Sequence, residues 1–346
     1  MSKKDSSVLK HKDLFLNKKI FPIYSNFRSQ LNLSIKKSKF LVAVSGGPDS
    51  LALSALSKAY SEEKKNKIYY VLIDHGIRAN SSKEALSVKS LLKKRGITLN
   101  ILKNKKKIKN NTQNHARIIR YELLLDYCNK HKIKFIMTGH HRDDQVETFL
   151  IRLSRGSGVQ GLSSMNKMTR LNNRTTLFRP LLDINKVDLI FLAKKYYGKF
   201  FKDPSNSNQK YLRTNIRNLI KQFEKNGIKQ DQIINSINNL AATRDTLNSY
   251  ITSVEKKCVT KKKNAFLITL NIFLLENRDI QLKILSNSLK IISKNYYPPR
   301  AKKILNLMSR IKLEKEIKAT LGGCIINKRQ NNLIISKEQL KKSLKL

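Results

Sequence analysis

The 346-residue chain predicts an α/β fold, a doubly wound parallel sheet, followed by a helical stretch and a small α+β domain. Three observations lead there. Short apolar runs rich in β-branched residues alternate with helical patterns from about residue 40 to residue 197. The motifs that carry chemistry fall at the carboxyl ends of those runs, where sheets of this kind bind ligands. After Asp203-Pro204-Ser205-Asn206 the strand signal disappears.

Taken in order, residues about 13–33 read as an amphipathic lead-in helix. Strand-like runs are Phe40–Val44, Tyr69–Asp74, Thr98–Leu102, Phe135–Thr138 and Thr176–Pro180. Helical runs fall between or after them: Asp49–Tyr60, Ser82–Arg95, Gln113–His131, Asp143–Arg155 and Lys186–Tyr197. Residues 213–258 read as helical and polar, with Ile233, Ile237, Leu240, Leu247 and Ile251 at helical spacing. Val259–Asn264 reads as a basic linker. A short strand (Phe266–Leu270), helices at about 277–294 and 298–313, and short strands near Ala319, Ile325 and Leu333–Ile335 complete the chain, with no internal repeat.

Lys and Arg number 71 against 24 Asp and Glu, a formal charge of +47. Such an excess points to a polyanionic partner, because basic surface releases condensed counterions from a phosphate backbone. The competing reading is compositional: Lys, Asn and Ile are abundant throughout, as AT-rich coding would produce, and much of the lysine would then be solvated surface. Cys128, Cys258 and Cys324 are widely spaced without a Cys-x-x-Cys pair, so neither a zinc ribbon nor an iron–sulfur site is supported. Sparse, odd cysteine usage suits a reducing cytoplasm. No apolar run reaches membrane-spanning length, and Met1–Lys12 lacks the apolar centre of a signal peptide, so the chain reads as soluble and cytosolic, with no membrane partner.

The most informative run is Leu41-Val42-Ala43-Val44-Ser45-Gly46-Gly47-Pro48-Asp49-Ser50, a strand that turns sharply into a helix. That turn presents bare N–H groups and the positive end of a helix dipole. Gly46 and Gly47 let the backbone approach an anion, and the Ser45 and Ser50 hydroxyls add donors. The result is a phosphate cradle, but not a Walker A loop, since no Gly-Lys-Ser/Thr follows. An ordinary strand–helix turn would also use glycine, but would not demand Asp49-Ser50 directly after it.

A second cluster follows the fourth strand: Thr138-Gly139-His140-His141-Arg142-Asp143-Asp144-Gln145-Val146-Glu147-Thr148. Glu147 lies four residues from Asp143 and three from Asp144, so on a helix it shares a patch with either. Such a patch can hold Mg²⁺ or clamp a cationic amine; helix capping by Asp143 and Asp144 is the plainer alternative. Asp74-His75 ends the second strand beside the phosphate loop. Arg117 and Arg120, with Tyr121, lie within a turn of one another, either aimed at the cleft to stabilise transferring phosphates or on a solvated face.

Ser-Gly-Gly-x-Asp-Ser resembles the pyrophosphate (PP) loop of ATP pyrophosphatases, which cleave ATP to AMP and pyrophosphate. Ser45-Gly-Gly-Pro-Asp-Ser, Ile73-Asp-His-Gly-Ile-Arg, Ala116-Arg-Ile-Ile-Arg-Tyr, the Thr138–Thr148 run, Arg152-Leu-Ser-Arg-Gly-Ser-Gly, Arg179-Pro-Leu-Leu and Asp203-Pro-Ser-Asn occur in that order. Together they resemble the tRNA(Ile)-lysidine synthetase family, over about residues 38–220. In the tail, Pro299-Arg300 and Leu321-Gly322-Gly323 are similar to that family's small substrate-binding domain; longer members carry one more C-terminal domain, which this chain is expected to lack.

The resemblance implies a Rossmann-like PP-loop domain over 1–212, a helical connecting and tRNA-contacting region over 213–260, and an α+β substrate-binding domain over 261–346. It implies ATP as substrate with Mg²⁺, an isoleucine tRNA with a CAU anticodon, and free L-lysine. ATP would adenylate the C2 oxygen of the wobble cytidine, and the lysine ε-amine would displace AMP to give lysidine. By the same resemblance Ser45, Gly46, Gly47, Pro48, Asp49, Ser50, Asp74 and His75 hold ATP. Asp49 and Asp143 are the metal candidates, and Asp49, Arg120, Asp144 and Glu147 the catalytic ones. Asp144 and Glu147 hold lysine with His140 in support, and Arg152, Arg155, Arg213 and Arg217 meet the tRNA backbone. Alternatives are a PP-loop tRNA thiolase, which relies on cysteines or a cysteine-bound cluster, an amidotransferase, which needs a glutaminase cysteine, and a noncatalytic RNA-binding protein. The sequence does not set the oligomeric state and is compatible with a homodimer.

Overall fold

The computed structural model describes residues 17–35, 38–77, 80–104, 112–201, 212–295 and 298–338. Residues 13–16 of the expected lead-in helix, Arg78 and the Asp203–Asn206 motif lie outside them. The chain forms two compact units, 1–240 and 241–346.

The first unit begins with α1 (Phe21–Ser34), β1 (Phe40–Val44), α2 (Pro48–Lys64), β2 (Ile68–Asp74), α3 (Ser81–Lys93), β3 (Leu99–Lys103), α4 (Thr112–His131) and β4 (Phe135–Met137). It continues through α5 (Arg142–Leu153), α6 (Val159–Leu162), β5 (Met168–Arg170), β6 (Thr176–Phe178), α7 (Lys186–Tyr197) and α8 (Leu212–Lys225). The strands form one sheet in the order β3-β2-β1-β4-β6-β5, parallel except for the β5–β6 pair. Side chains alternate between its faces. Phe40, Val42, Val44, Leu72, Met137 and Phe178 pack with α1, α2, α3 and α7, while Leu41, Val71, Ile136 and Leu177 pack against Leu124 and Cys128 of α4. A sheet buried on both faces needs continuous apolar strands, which is why FLVAV is legible as β1. Strand order reverses between β1 and β4, so the loops leaving these two carboxyl ends flank a crevice.

α8 and the first half of α9 (Gln230–Cys258) pack on α5, through Ile216, Ile220, Ile233 and Ile237 against Val146 and Leu150. Ile251, Val254 and Cys258 of the same helix belong to the core of the second unit. The stretch 213–260 is thus divided between the two units. Leu247, expected at a core spacing, is 36% exposed.

The second unit adds β7 (Val259–Lys261), β8 (Ala265–Thr269), α10 (Leu270–Leu275), α11 (Arg278–Ser293), α12 (Ala301–Leu313), β9 (Ile317–Leu321), β10 (Cys324–Arg329) and β11 (Asn332–Lys337). Its sheet is antiparallel, in the order β7-β8-β11-β10-β9. The expected linker at 259–264 is a strand for its first half: Val259 pairs Ile268 and Lys261 pairs Phe266 at the sheet edge, where charged side chains remain in water. Gly322 and Gly323 form the two-residue β9–β10 turn, both at positive φ (63° and 81°). Among the described residues no helix is long and apolar enough to cross a membrane.

Candidate active site

The loop after β1 forms one wall of the crevice. Gly46 takes φ +84°, and a Cβ there would stand 2.6 Å from Val88 Cγ2. Its carbonyl accepts the Phe201 N–H at 3.0 Å. The Ser50 hydroxyl donates to the Gly47 carbonyl at 3.0 Å and lies 3.1 Å from both the Ser45 nitrogen and the Ser45 hydroxyl, which closes the loop on itself. Pro48 opens α2 with its φ already helical and no N–H to satisfy. Gly47, the cap residue, offers no side chain to the first-turn N–H groups, which leaves that end free for an anion.

The second wall follows β4 and touches the first. A Cβ on Gly139 would lie 2.9 Å from the backbone carbon and oxygen of Asp49 and 3.0 Å from the Ser50 nitrogen. Only glycine permits that approach. Two residues on, the His141 ring is buried, at 2% exposure, among three carboxylates. Nε2 is 3.7 Å from Asp49 Oδ2 and 3.5 Å from Asp144 Oδ2, and Nδ1 is 3.6 Å from Asp143 Oδ1. Burial works against the imidazolium, but Asp143, Asp144 and Asp49 outweigh it and raise the His141 pKa. Burial likewise raises Asp49, against the pull of His141 and Lys186. Asp143 is held below its ordinary value: burial opposes this, while His141 and the Lys186 backbone N–H, which Asp143 accepts at 3.3 Å, favour the carboxylate. Asp144 accepts the His141 N–H at 3.1 Å, so it caps α5 as the plainer reading expected and also faces the crevice.

His140 differs from its neighbour. Its Nδ1 lies 2.8 Å from the Thr138 hydroxyl. Burial pushes its pKa down to about 4, Asp144 opposing and Arg179, Arg117 and Arg213 assisting, so the ring is neutral. His140, expected in support of Asp144 and Glu147, feels the Asp144 charge, and the ring that lies among the carboxylates is that of its neighbour His141, which the His-His doublet signals. Glu147 is 2% exposed and paired with α8: Arg217 Nε lies 2.5 Å from Oε1 and Nη2 3.5 Å from Oε2, while Arg213 Nε is 3.8 Å from Oε2.

At the end of β2, Asp74 accepts the Gly76 N–H at 3.1 Å and the Ser82 hydroxyl at 2.6 Å. Burial opposes ionisation there, but the bonds from Ser82, Ser81 and Gly76 keep its pKa low. It organises the start of α3 through these bonds. His75 has both ring nitrogens buried without a hydrogen-bond partner among the described residues, and burial followed by Arg120 lowers its pKa to about 4. Arg120 therefore does stand toward a motif residue, and Arg117 lies over the Tyr121 ring at 5.4 Å.

Two of the arginines expected on RNA are engaged inside the protein. Arg152 donates to the carbonyls of Gly161 (2.6 Å) and Ser164 (2.9 Å), tying down the chain that carries α6, and Arg217 is committed to Glu147. Arg155 is exposed. Among the described residues no group of three or more His, Cys, Asp or Glu side chains is arranged to hold a metal ion by itself. All three cysteines are buried, and burial raises each thiol, Cys128 to about 12 and Cys258 to about 11.

A glycine-built anion nest after β1, at the point where strand order reverses, is the signature of the PP-loop class, and residues 18–223 match the PP-loop domain family. The chain is 35% identical over 319 residues to the tRNA(Ile)-lysidine synthase of Wolbachia pipientis wMel, spanning 90% of this chain and 74% of that protein. It is 36% identical over 311 residues to that of Orientia tsutsugamushi (strain Boryong), spanning 87% and 70%. It belongs to the tRNA(Ile)-lysidine synthase family. The fold also matches the U34-tRNA thiolase NcsA from Methanococcus maripaludis, with TM-score 0.55 and 20% identity over 65% of this chain and 79% of that one.

Proposed function

We propose that the protein joins L-lysine to C2 of the wobble cytidine of an isoleucine tRNA with a CAU anticodon, consuming ATP and releasing AMP and pyrophosphate. It is an ATP-dependent ligase that forms a carbon–nitrogen bond, and its place of work is the cytoplasm. The observation that carries the reading is the contact of the two walls: Gly139 lies against Asp49 and Ser50, and His141 links Asp49 to Asp143 and Asp144. An anion nest and an acidic pocket then serve one reaction centre.

The cytidine C2 oxygen attacks the α-phosphorus of ATP and pyrophosphate leaves into the Ser45–Ser50 loop. The ester makes C2 electrophilic. The lysine ε-amine, having lost a proton to a base, adds to C2, and the C2–O bond breaks with AMP as leaving group. Asp144 and Glu147 hold the amine, which places it for attack. Arg120 faces the developing phosphate charge, and His75, neutral and with no hydrogen-bond partner on its ring nitrogens among the described residues, meets the nucleotide. Arg213 and Arg155 are offered to the RNA backbone, and single-stranded anticodon-loop bases are the ones most readily splayed into such a crevice.

The donor set also suits Mg²⁺, which favours one or two carboxylates together with substrate phosphates over an all-protein cage. Asp49 Oδ1 is buried without a hydrogen-bond partner among the described residues, and Asp143 is ionised beside it, so these two would hold the ion. When bound, Mg²⁺ neutralises phosphate charge there.

The test is incubation with ATP, radiolabelled lysine and a CAU-anticodon tRNA. Label enters the RNA in step with AMP release; label from cysteine sulfur instead, or no nucleotide turnover, rejects the reading. Asp49→Ala abolishes AMP release. Glu147→Ala retains ATP binding while lysine incorporation falls sharply, and unchanged incorporation refutes its role.

A further inference from the structure

The carboxylate that the proposed reaction assigns to the incoming amine already has a cation on it. Glu147 is almost wholly buried, and both its oxygens face α8: Oε1 takes Arg217 Nε at 2.5 Å, and Oε2 has Arg217 Nη2 at 3.5 Å and Arg213 Nε at 3.8 Å. We infer that Arg217 competes with substrate for Glu147, so that lysine gains its site only when a phosphate anion in the crevice draws the guanidinium away. The inference rests on the reading of Glu147 as the amine-holding carboxylate.

A buried carboxylate stripped of its counter-charge is strongly disfavoured, so Arg217 does not leave Glu147 bare. An ammonium arriving as the guanidinium departs keeps the carboxylate paired throughout, and the exchange is one cation for one. Lysine affinity in the free protein is then reduced by the cost of displacing Arg217 from Glu147. Geometry favours such an exchange. The side chain of Arg217 is 30% exposed and that of Arg213 51%, against 2% for Glu147, so the arginines reach the carboxylate from the open side. α8 itself is anchored independently, by Ile216 and Ile220 against Val146 and Leu150. The guanidinium can swing without moving the helix. Its surroundings include carboxylates of both walls, Asp144 and Asp49 as well as Glu147, which keeps it charged despite burial. A phosphate seated on the Asp49 loop therefore enters within electrostatic reach of Arg217. Guanidinium is suited to this change of partner because its planar fork matches phosphate as well as carboxylate.

The phosphate can come from the nucleotide or from RNA, and equilibrium binding of radiolabelled lysine to the full chain separates the two. Binding is measured alone, with a non-hydrolysable ATP analogue, with CAU-anticodon tRNA, and with both. Wild type binds lysine weakly alone and about tenfold or more tightly in whichever arm supplies the phosphate. Arg217→Gln binds lysine tightly alone and gains nothing further. A variant no tighter than wild type, or one that keeps the anion-dependent gain, overturns the inference. Glu147→Gln separates this from the underlying reading: if it binds lysine as wild type does in every arm, the amine is not at Glu147 and the proposed site has failed. If it loses lysine while Arg217→Gln gains nothing, only the competition has failed. Should Arg217→Gln not fold, wild type alone decides, because linkage requires lysine to tighten the effective anion by the same factor. An anion affinity unmoved by saturating lysine overturns the inference.

Discussion

The loop 45–50 and the turn 139–147 meet across Gly139, and they handle charge by different means. The first offers backbone N–H groups and two hydroxyls, with its shape held by Gly46 at φ +84° and by the Ser50 bonds. The second offers ionisable side chains, and its shape depends on a buried imidazole that holds Asp143 and Asp144 of the turn near Asp49 of the loop. One wall is set by where the backbone can go, the other by how many charges balance. The first should therefore fail when atoms are added, while the second should tolerate small changes in shape and respond to protonation, a response that the loop shares only through Asp49.

The largest effect tests the seam. Gly139→Ala places a methyl group 2.9 Å from the Asp49 backbone, which has no flexible end to move aside. AMP-forming activity is expected to fall by about a hundredfold or more, since a displacement near 1 Å at a reacting centre costs that much. Gly76→Ala is the control: the same methyl group meets nothing within 4 Å, and its cost is the left-handed φ of +63°, about 1 kcal/mol in denaturant unfolding with little change in activity. Equal losses in both variants would mean that the walls do not touch as described.

His141→Leu comes next, because it leaves Asp49, Asp143 and Asp144 without their shared cation. Removing one member of a buried ionic group costs about 3 kcal/mol. The sign with pH follows from the raised pKa of His141. The imidazolium's contribution is complete below the unfolded value near 6.5 and is lost as pH rises through the folded value. Urea titrations of wild type and variant should differ most at pH 6 and converge at alkaline pH. A gap that widens with pH would show that the carboxylates are balanced by something else.

His75 supplies the opposite sign. Its pKa is lowered to about 4, so the unfolded chain binds its proton first and stability is lost as pH falls from about 6.5 to 4. His140, also lowered to about 4, adds a parallel loss. His75→Gln should flatten the acid limb of the stability curve by up to about 1.4 kcal/mol per pH unit. An unchanged limb would mean that the ring takes up its proton in the folded state.

How far each wall was legible follows from the same contrast. The glycine wall is local: strand, turn and helix occupy consecutive residues, and β1 and α7 are read to the residue. The acid wall is local only in its membership. That Asp144 and Glu147 share a turn is written in their spacing, but the His141–Asp49 contact joins residues 92 positions apart by number, and Arg217 meets Glu147 across 70. Nothing in a linear pattern selects Arg217 for that role over the other arginines. The chain's +47 charge invites every arginine onto RNA, and it hides the ones that serve carbonyls or carboxylates within the fold. Short pairings were lost for another reason. β5 has three residues with exposed or half-exposed side chains, and β7 is Val-Thr-Lys, so neither carries an apolar signature; both exist because an edge was available to pair with.

The smallest expected effect asks whether chemistry stays within the two walls. A sulfur-transferring reaction on this fold would need a reactive thiol, and a reactive thiol needs a low pKa and access. Cys128 has neither: it is 1% exposed among Leu124, Ile133 and Ile136, and burial takes its thiol to about 12. It packs as a small apolar side chain. Cys128→Ala should cost about 1 kcal/mol for the vacated volume and leave AMP release and lysine incorporation within about twofold of wild type. Cys128→Ser should destabilise by more, because an unpartnered hydroxyl replaces a group that water does not miss. If the alanine variant melts like wild type yet fails to incorporate lysine, a thiol takes part, and the crevice between the glycine loop and the carboxylates does not contain the whole reaction.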